Sequence, residues 1–207
     1  MMEKHRFLNL TKRIQAIAQA GITYTENPYD MERFEELRTI SVDLMHLITD
    51  EKVEVIRDLF ANQTGYQTPM VDIRAVVFHE NKILLVKESA DGRWALPGGW
   101  ADVGYTPSEV AAKEVREEAG IEVTPNRILA IVDKKCHDHP PQPFYVYKFF
   151  ILCDFTGGHI KTGTETLDVG FFARNDLPGL SMDRNIPSQV DLMFEYLDDP
   201  EKPVYFD

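Results

Sequence analysis

The sequence predicts an α/β fold in which helices sandwich a mixed β-sheet and a small all-helical domain precedes that sheet. Two observations support this prediction. Apolar residues recur at helical spacing over the first sixty or so positions, and strand-like segments with few helices between them fill the rest of the chain. The stretch 61–69 is polar and rich in turn residues, as domain boundaries commonly are. We therefore predict a helical domain over residues 1–66 and an α/β domain over residues 67–207.

The N-terminal region contains two long amphipathic segments and a shorter third segment over residues 51–60. Asn27 and Pro28 separate the two long segments, because this pair favours a turn. The helical faces could pack on the second domain, cover a substrate or pair with a second copy of the chain. By fold-level analogy, we expect a homodimer. Its contacts would bury the apolar stripe made by Phe34, Leu37, Leu44 and Ile48.

Strand signals begin directly after the predicted boundary. Residues 71–78 and 82–87 flank His79, Glu80 and Asn81, a pattern that predicts a β-hairpin. Three later segments have strand composition, and the last part of the chain has helical spacing. The predicted strands are 128–134, 144–153 and 167–172, and the predicted helix is 187–197.

One helix in the middle of the chain is marked at both ends. Thr106 and Glu109 have the spacing of a capping box, Pro107 suits the first helical position, and Gly120 suits a left-handed C-terminal stop. Its apolar stripe can pack on a sheet and consists of Ala111, Ala112, Val115 and Ala119.

Three glutamates lie on one side of this helix. Glu114, Glu117 and Glu118 are spaced i, i+3, i+4, so they share one face. Like charges at this spacing repel each other, but a divalent cation would reverse the effect. Because hard oxygen ligands suit Mg²⁺ or Mn²⁺, the trio predicts a site for one of these ions, with Mg²⁺ favoured. A solvated acidic helix face is the simpler alternative.

The segment from Gly99 to Ile121 resembles the Nudix box, G-x5-E-x7-R-E-U-x-E-E-x-G-U, in which U is an aliphatic residue. Seven positions match, and two depart, with Tyr105 in place of the first glutamate and Lys113 in place of the arginine. The family's arginine and first glutamate mainly support the loop–helix–loop, so the departures affect support more than metal binding. The matching positions are Gly99, Glu114, Val115, Glu117, Glu118, Gly120 and Ile121.

The resemblance implies the fold and the reaction. A Nudix domain is an α/β/α sandwich that hydrolyses a nucleoside diphosphate linked to a group X, with metal held by the E-x-x-E-E carboxylates and by a loop carbonyl, here that of Gly98. Over nearly its full length the chain looks like bacterial ADP-ribose or CDP-choline pyrophosphatases. We therefore expect CDP-choline or ADP-ribose as substrate, and a nucleoside monophosphate and phosphorylated X as products.

Other site residues are assigned by their chemistry. The glycines before the helix, including Gly99, let a ligand approach the backbone closely. Arg93 or Lys87 could hold a phosphate, and Tyr145 could stack on a base. The general base would be one of the three metal-site glutamates or a carboxylate of a later loop, where Glu165 and Asp168 are the candidates.

Composition excludes several classes of function. The chain has 207 residues and a net charge of −12, which argues against a general nucleic-acid or anionic-membrane surface. Its two cysteines are too few for a disulfide framework, and neither a signal peptide nor a membrane-length apolar run is visible. We expect a cytoplasmic protein. The run Cys136-His137-Asp138-His139 is too crowded to favour a zinc site.

Three alternatives to a small-molecule hydrolase remain open. The domain could be a nucleotide-sugar sensor, although residues 1–66 carry more acidic than basic side chains, unlike a DNA reader. It could act on RNA ends, or it could be a dimerisation scaffold with a decayed site, for which Tyr105 and Lys113 are the only support.

Overall fold

The computed structural model describes residues 2–49, 52–61 and 64–207, apart from the side chains of residues 2–5 and 59. The chain divides into two compact units. The first comprises Met1–Pro69 with Pro141–Tyr145, and the second comprises Met70–Pro140 with Val146–Asp207.

The first unit consists of three helices and the short segment Pro141–Tyr145. Asn27 caps the second helix, because its side chain accepts a hydrogen bond from the Tyr29 amide at 2.9 Å, and Pro28 opens it as predicted. A small apolar core joins the second and third helices. The helices are α1 (Met2–Tyr24), α2 (Pro28–Ile48) and α3 (Val53–Phe60); Glu51, where a third helix was predicted to start, lies outside the described residues.

The segment Pro141–Tyr145 is held by α1. Lys12 donates hydrogen bonds from Nζ to the backbone oxygens of Gln142, at 3.2 Å, and Phe144, at 2.7 Å. The same ammonium lies 4.3 Å from the centre of the Tyr145 ring, and the Tyr145 hydroxyl donates to the backbone oxygen of Asn9 at 3.4 Å.

The second unit is an eight-stranded mixed sheet with two α-helices. Strand β1 pairs in parallel with β6 and antiparallel with β2 and β4, whereas β5 is antiparallel to β6. The strands are β1 (Met70–His79), β2 (Lys82–Glu88), β3 (Trp94–Ala95), β4 (Gly98–Trp100), β5 (Ile121–Asp133), β6 (Val146–Gly158), β7 (Thr166–Phe172) and β8 (Tyr205–Phe206). The helices are α4 (Pro107–Ala119) and α5 (Pro187–Asp198).

Side chains of β1 alternate between two cores on the opposite faces of the sheet. Ile73, Ala75 and Val77 pack with α4, whereas Val76 packs with α5. This arrangement is an α/β/α sandwich, and the predicted fold class is confirmed. The β1–β2 hairpin is also confirmed, with Glu80 and Asn81 in the left-handed conformations that a two-residue turn requires.

The structure differs from the predicted elements mainly at strand ends. β5 begins at Ile121, seven residues before the predicted start, and its early part contains Pro125 and register shifts. Proline is tolerated at such a bulge, although it conceals the strand pattern in the sequence. The two- and three-residue strands β3, β4 and β8 are too short to show a period. In the ranges that the structure covers, none of the helices has the length and hydropathy needed to span a bilayer.

Candidate active site

Helix α4 carries the predicted carboxylates and is capped as the sequence indicates. The hydroxyl oxygen of Thr106 accepts from the Glu109 amide at 3.2 Å, and Oε2 of Glu109 accepts from the Thr106 amide at 2.8 Å. Gly120 ends the helix in the left-handed conformation, with φ 71°. Because Val115 and its neighbours pack against the sheet, the helix cannot rotate freely, and the face that carries the carboxylates has a fixed direction.

Glu118 is the most enclosed of the three glutamates, at 8% exposure. Its Oε2 accepts a hydrogen bond from the backbone amide of Gly98 at 3.0 Å. Burial raises the pKa of Glu118 to about 8, although the charge of Arg74 and the bond from Gly98 oppose this shift. Through the hydrogen bond from Gly98, strand β4 and helix α4 meet at the Glu118 carboxylate.

Glu114 and Glu117 share the ammonium group of Lys113. Its Nζ lies 3.3 Å from Oε1 of Glu114, 3.4 Å from Oε2 of Glu117 and 3.5 Å from Oδ2 of Asp102. The charge of Glu114 is the main cause of the raised pKa of Lys113. Repulsion among the acidic side chains is thus partly offset within the protein, a contribution that the sequence argument for a dication did not include.

The segment before α4, which includes the start of β4 and is called the glycine loop below, brings backbone close to these carboxylates. Gly98 has φ +147°, and a Cβ atom there would lie 2.0 Å from the backbone oxygen of Ile73, so only glycine fits. A Cβ atom on Gly99 would lie 3.5 Å from Oε2 of Glu114. The two glycines therefore lie beside Glu118 and Glu114 respectively.

The donor atoms at this site fit a hard divalent cation in their chemistry. Carboxylate oxygens of Glu114 and Glu118 and the backbone of Gly98 lie on adjoining elements, and oxygen ligands are those that Mg²⁺ and Mn²⁺ prefer. Among the residues that the structure describes, no group of three or more His, Cys, Asp or Glu side chains is arranged to hold a metal ion. The Glu117 side chain is 54% exposed and turns to Lys113.

A buried charge network supports the loop from the sheet. Asp72 and Arg74 are alternate residues of β1, and Oδ1 of Asp72 accepts from Nε of Arg74 at 2.9 Å. Oδ2 of Asp72 accepts from the ammonium of Lys148, which is fully buried on β6. Burial alone would raise the pKa of Asp72, but the charges of Arg74 and Lys148 outweigh it and hold that pKa below its ordinary value. Nη1 of Arg74 donates to the backbone oxygen of Leu96 at 3.0 Å.

Two family models match the chain. A "NUDIX domain" model matches residues 68–193, and a model described as "UDP-X-like, N-terminal oligomerisation domain" matches residues 5–60. The chain belongs to the Nudix hydrolase family. The predicted family and the predicted enzyme class, a Nudix pyrophosphatase, are confirmed.

Individual relatives agree with this assignment. "Putative ADP-ribose pyrophosphatase YjhB" from Bacillus subtilis is 45% identical over 202 residues, which are 98% of this chain and 97% of that protein. The crystal structure of a UDP-X diphosphatase is 32% identical, covers 99% of both chains and has a TM-score of 0.64. The crystal structure of an ADP-ribose pyrophosphatase from Streptococcus suis 89-1591 is 44% identical, covers 68% of this chain and all of that chain, and has a TM-score of 0.61.

Of the two departures from the Nudix box, Tyr105 lies just before α4 and Lys113 lies in the middle of that helix. Tyr105 is 52% exposed and has no carboxylate that could form an ion pair with Lys113. Asp102, three residues earlier, lies 3.5 Å from Lys113 instead. Because the pair is exposed and long, its contribution is small, within about 1 kcal/mol.

The loop that carries Glu165 docks on the C-terminal end of α4. The hydroxyl of Thr166 donates to the backbone oxygen of Glu118 at 2.8 Å, and a Cβ atom on Gly163 would lie 2.0 Å from the backbone oxygen of Glu117. Glu165 itself is exposed, and its backbone oxygen accepts from the Ser89 amide at 3.0 Å. The structure thus places the backbone of this loop against the end of α4.

The other predicted residues make contacts of their own. Asp168 and Lys87 are register partners on β7 and β2, and Arg93 lies exposed in the turn after β2, where its amide donates to Asp91 at 2.9 Å. Tyr145 belongs to the first unit, where it contacts Lys12.

Sequence reasoning missed the buried polar residues behind the loop. Besides the network around Arg74, Glu88 on β2 is 5% exposed, and its Oε1 lies 2.7 Å from Nε of Arg184 in an ion pair without hydrogen-bond geometry. Oδ1 of Asn185, which is fully buried, accepts from the Leu96 amide at 3.0 Å. The sequence did contain one signal of these buried polar residues, because the charged residues Asp72 and Arg74 lie inside the otherwise apolar run of β1.

The sequence run 136–139 forms no shared ligand set. His139 is buried, with Nδ1 2.8 Å from the backbone oxygen of Met182 and Nε2 2.9 Å from Nε2 of Gln189. His137 instead contacts Asp207 at 3.1 Å, and Cys136 is an exposed free thiol.

Proposed function

We propose that this Nudix enzyme hydrolyses the pyrophosphate bond of a nucleoside diphosphate linked to a small group X. The reaction would release a nucleoside monophosphate and phosphorylated X. One observation carries the proposal: the buried carboxylate of Glu118 meets the glycine loop at Gly98, with Glu114 beside Gly99 on the same helix. A pyrophosphate could lie against this loop because glycine backbone leaves its approach open.

We infer that Glu114, Glu117 and Glu118, with the carbonyl of Gly98, hold Mg²⁺ or Mn²⁺ during the reaction. Such an ion would polarise a phosphoryl oxygen and lower the pKa of a water molecule. The glutamates would fix its place, and the positive charge of the ion would oppose the burial that raises the pKa of Glu118. Lys113 would exchange its contact with Glu117 for one with solvent or phosphate.

We favour ADP-ribose as the substrate. The names of the relatives from Bacillus subtilis and Streptococcus suis both refer to ADP-ribose, and their identities to this chain are 45% and 44%. CDP-choline, which the sequence also favours, and a UDP-linked compound, after the UDP-X diphosphatase structure, are the alternatives to be compared.

The remaining roles are proposals of the same kind. Glu165 would accept the proton of the attacking water, because its loop is fixed to α4 through Thr166. Gly99 would contact the pyrophosphate, Lys87 and Arg93 would bind phosphate, and Tyr145 would stack on the base.

A comparison of two glutamate variants tests the function. Wild type, Glu117→Gln and Glu122→Gln are incubated with ADP-ribose, CDP-choline and a UDP-sugar in the presence of Mg²⁺, and the products are identified by mass. We expect wild type to release a nucleoside monophosphate, Glu117→Gln to lose several orders of magnitude in rate, and Glu122→Gln, an exposed change just beyond α4, to match wild type. Equal rates for all three proteins would contradict the metal assignment. Labelled H₂¹⁸O identifies the phosphorus that is attacked.

We propose that the protein is a homodimer formed through the first unit. The matching family model describes an oligomerisation domain, and apolar side chains of α2 such as Leu47 and Ile40 are exposed in the single chain. The expected stripe is only partly available, since Ile48 packs on the core of the unit and Phe34 covers Gly21. Light scattering should show a dimer that Leu47→Asp disrupts and Thr39→Asp leaves intact; a monomeric wild type would overturn the proposal.

We place the protein in the cytoplasm and assign it no nucleic-acid or membrane partner. Support comes from the free thiols Cys136 and Cys153 and from the net charge of −12. Binding to duplex DNA or RNA at low salt that weakens steeply as salt is added would contradict this assignment.

A further inference from the structure

The peptide groups at Leu96 are held from two sides by buried side chains. The Leu96 amide donates to Oδ1 of Asn185 at 3.0 Å, and the Leu96 carbonyl accepts from Nη1 of Arg74 at 3.0 Å. Asn185 is fully buried and Arg74 is 5% exposed. Neither residue belongs to the Nudix box, and they come from different elements, the segment before α5 and strand β1.

Arg74 reaches Leu96 in a fixed orientation. Its Nε is bonded to Oδ1 of Asp72, and the second oxygen of that carboxylate is occupied by Lys148. The guanidinium is planar, so fixing Nε also fixes the direction of Nη1. The position of the Leu96 carbonyl is therefore set by β1 and β6 together.

Asn185 is held equally firmly by its own segment. The Trp94 amide donates to Gly179 at 3.1 Å, the Ser181 amide donates to Trp94 at 2.8 Å, and the Asn185 amide donates to Ser181 at 2.8 Å. The segment is thereby attached to β3, directly before Leu96.

The side chain of Asn185 also bears an unsatisfied group. No described residue accepts a hydrogen bond from its buried Nδ2. A buried donor without a partner is unfavourable, so the amide is costly to keep at this position. Its Oδ1 bond to Leu96 is the contact that accounts for an asparagine there.

The held peptide leads directly into the metal-site loop. Leu96 is followed by Pro97, whose carbonyl accepts from the Ala75 amide at 2.8 Å, and by Gly98, whose amide donates to Glu118 at 3.0 Å. Only Pro97, whose φ is fixed, separates Leu96 from Gly98, so few free backbone torsions lie between the held peptide and Gly98. The bond to Glu118 and the direction of the Gly98 carbonyl both depend on this backbone.

We propose that Asn185 and Arg74 are positioning residues for the hydrolysis, acting through Leu96 to align Gly98 with Glu118. This inference rests on the proposed function and adds two residues outside the box to it. Neither side chain needs to touch substrate, since each acts on the loop backbone.

The test compares Asn185→Leu with two other proteins. Asn185→Asp keeps an acceptor oxygen at the same place, whereas Val190→Ala removes buried atoms from the apolar core that also contains Leu96 but leaves both hydrogen bonds to Leu96 in place. Arg74→Lys is a second variant, which retains a cation near Asp72 but loses the bond to Leu96. The measurements are kcat and KM for ADP-ribose, the Kd of Mn²⁺ by calorimetry, and hydrogen exchange of the Leu96 amide.

We expect Asn185→Leu and Arg74→Lys to lower kcat by about 10–100-fold, as is typical when the support of a metal site is lost. KM should change by less than about threefold, because the loss falls on alignment rather than on uniform binding. Mn²⁺ should bind more weakly, and the Leu96 amide should exchange faster in Asn185→Leu. Asn185→Asp should restore most of kcat, and Val190→Ala should keep it despite a lower Tm.

Two results would overturn the inference. Asn185→Leu could turn over at the wild-type rate, or Val190→Ala could lose as much kcat as Asn185→Leu, which would show a general effect of stability. If wild-type protein hydrolyses no tested diphosphate, the proposed function fails on its own. Mn²⁺ affinity then decides the inference: weaker binding in Asn185→Leu than in Val190→Ala supports it, and equal binding contradicts it.

Discussion

Replacing Lys148 by methionine should destabilise the second unit strongly. The Lys148 ammonium is fully buried and contacts Asp72, whose other oxygen is bonded to Arg74 at 2.9 Å. Methionine fills a similar volume but leaves one carboxylate oxygen of Asp72 buried without its partner. The loss in the free energy of unfolding of this variant therefore measures the effect of an unpaired buried carboxylate oxygen rather than the effect of a cavity.

The magnitude follows from the remaining contacts. Removing one partner of a buried ion pair typically costs about 3–5 kcal/mol in the free energy of unfolding. Because Asp72 keeps Arg74, the lower end applies, about 3 kcal/mol, which corresponds to a drop in Tm of roughly 6–12 °C for a domain of this size. The pKa of Lys148, which burial lowers to about 8, leaves the group mostly charged at pH 7.

Urea unfolding at pH 7, followed by circular dichroism, measures this cost. Lys82→Met, an exposed change at the start of β2, is the control and should stay within about 0.5 kcal/mol of wild type. The double variant Asp72→Asn/Lys148→Met should lose less than the sum of the two single variants, since the pair is coupled. If Lys148→Met were as stable as wild type, the ammonium would not be needed to compensate Asp72, and the reasoning about this network would be wrong.

Three further predictions concern other parts of the second unit. The buried ring of His139 donates from Nδ1 to Met182 and accepts at Nε2 from Gln189, which requires the neutral form, and burial lowers its pKa to about 4. The stabilisation by the neutral ring is present above the ordinary histidine pKa of 6.5 and is lost as pH falls towards 4. Between pH 7 and pH 5 the free energy of unfolding of wild type, measured with urea, should therefore fall by about 2 kcal/mol more than that of His139→Leu. Equal losses in the two proteins would contradict the burial of a neutral ring. Gly98→Ala should cost at least about 2 kcal/mol, because Cβ would strike the Ile73 carbonyl in a backbone conformation that alanine rarely adopts. Gly179→Ala, with open space around it, is the thermal-melting control, and equal Tm values would refute the close approach. Thr166→Val removes the hydroxyl bond to the Glu118 carbonyl and should cost about 1–3 kcal/mol and reduce kcat; an unchanged Tm would show that the bond contributes nothing.

Local signals predicted α4 well. Capping box, proline and terminal glycine all act within a few residues of the chain, so they can be recognised without tertiary contacts. The hairpin at Glu80 and Asn81 was found for the same reason.

The support of the site could not be found in this way. Arg74 and Asn185 are 111 positions apart in the sequence, and only the fold brings both to Leu96. Lys148 looks like an ordinary strand residue until β6 pairs with β1 beside Asp72. Charged residues in an apolar strand signal burial, but they do not identify the partner that makes burial tolerable.

The role of Lys113 shows a second limit. Spacing alone placed three carboxylates on one face, and repulsion among them suggested a dication. The structure shows that the Lys113 ammonium already offsets part of that charge and that the Gly98 amide donates a hydrogen bond to Glu118. Side-chain direction decides such contacts, and the sequence gives no information on it.

Calorimetric titration of Mn²⁺ and Mg²⁺ into chelator-treated protein, with and without adenosine monophosphate, tests the metal site most directly. We expect saturable binding to wild type and to Glu122→Gln, and its loss or severe weakening in Glu118→Gln. Absence of metal uptake by wild type under every condition, or undiminished uptake by Glu118→Gln, would contradict the assignment of these carboxylates as metal ligands.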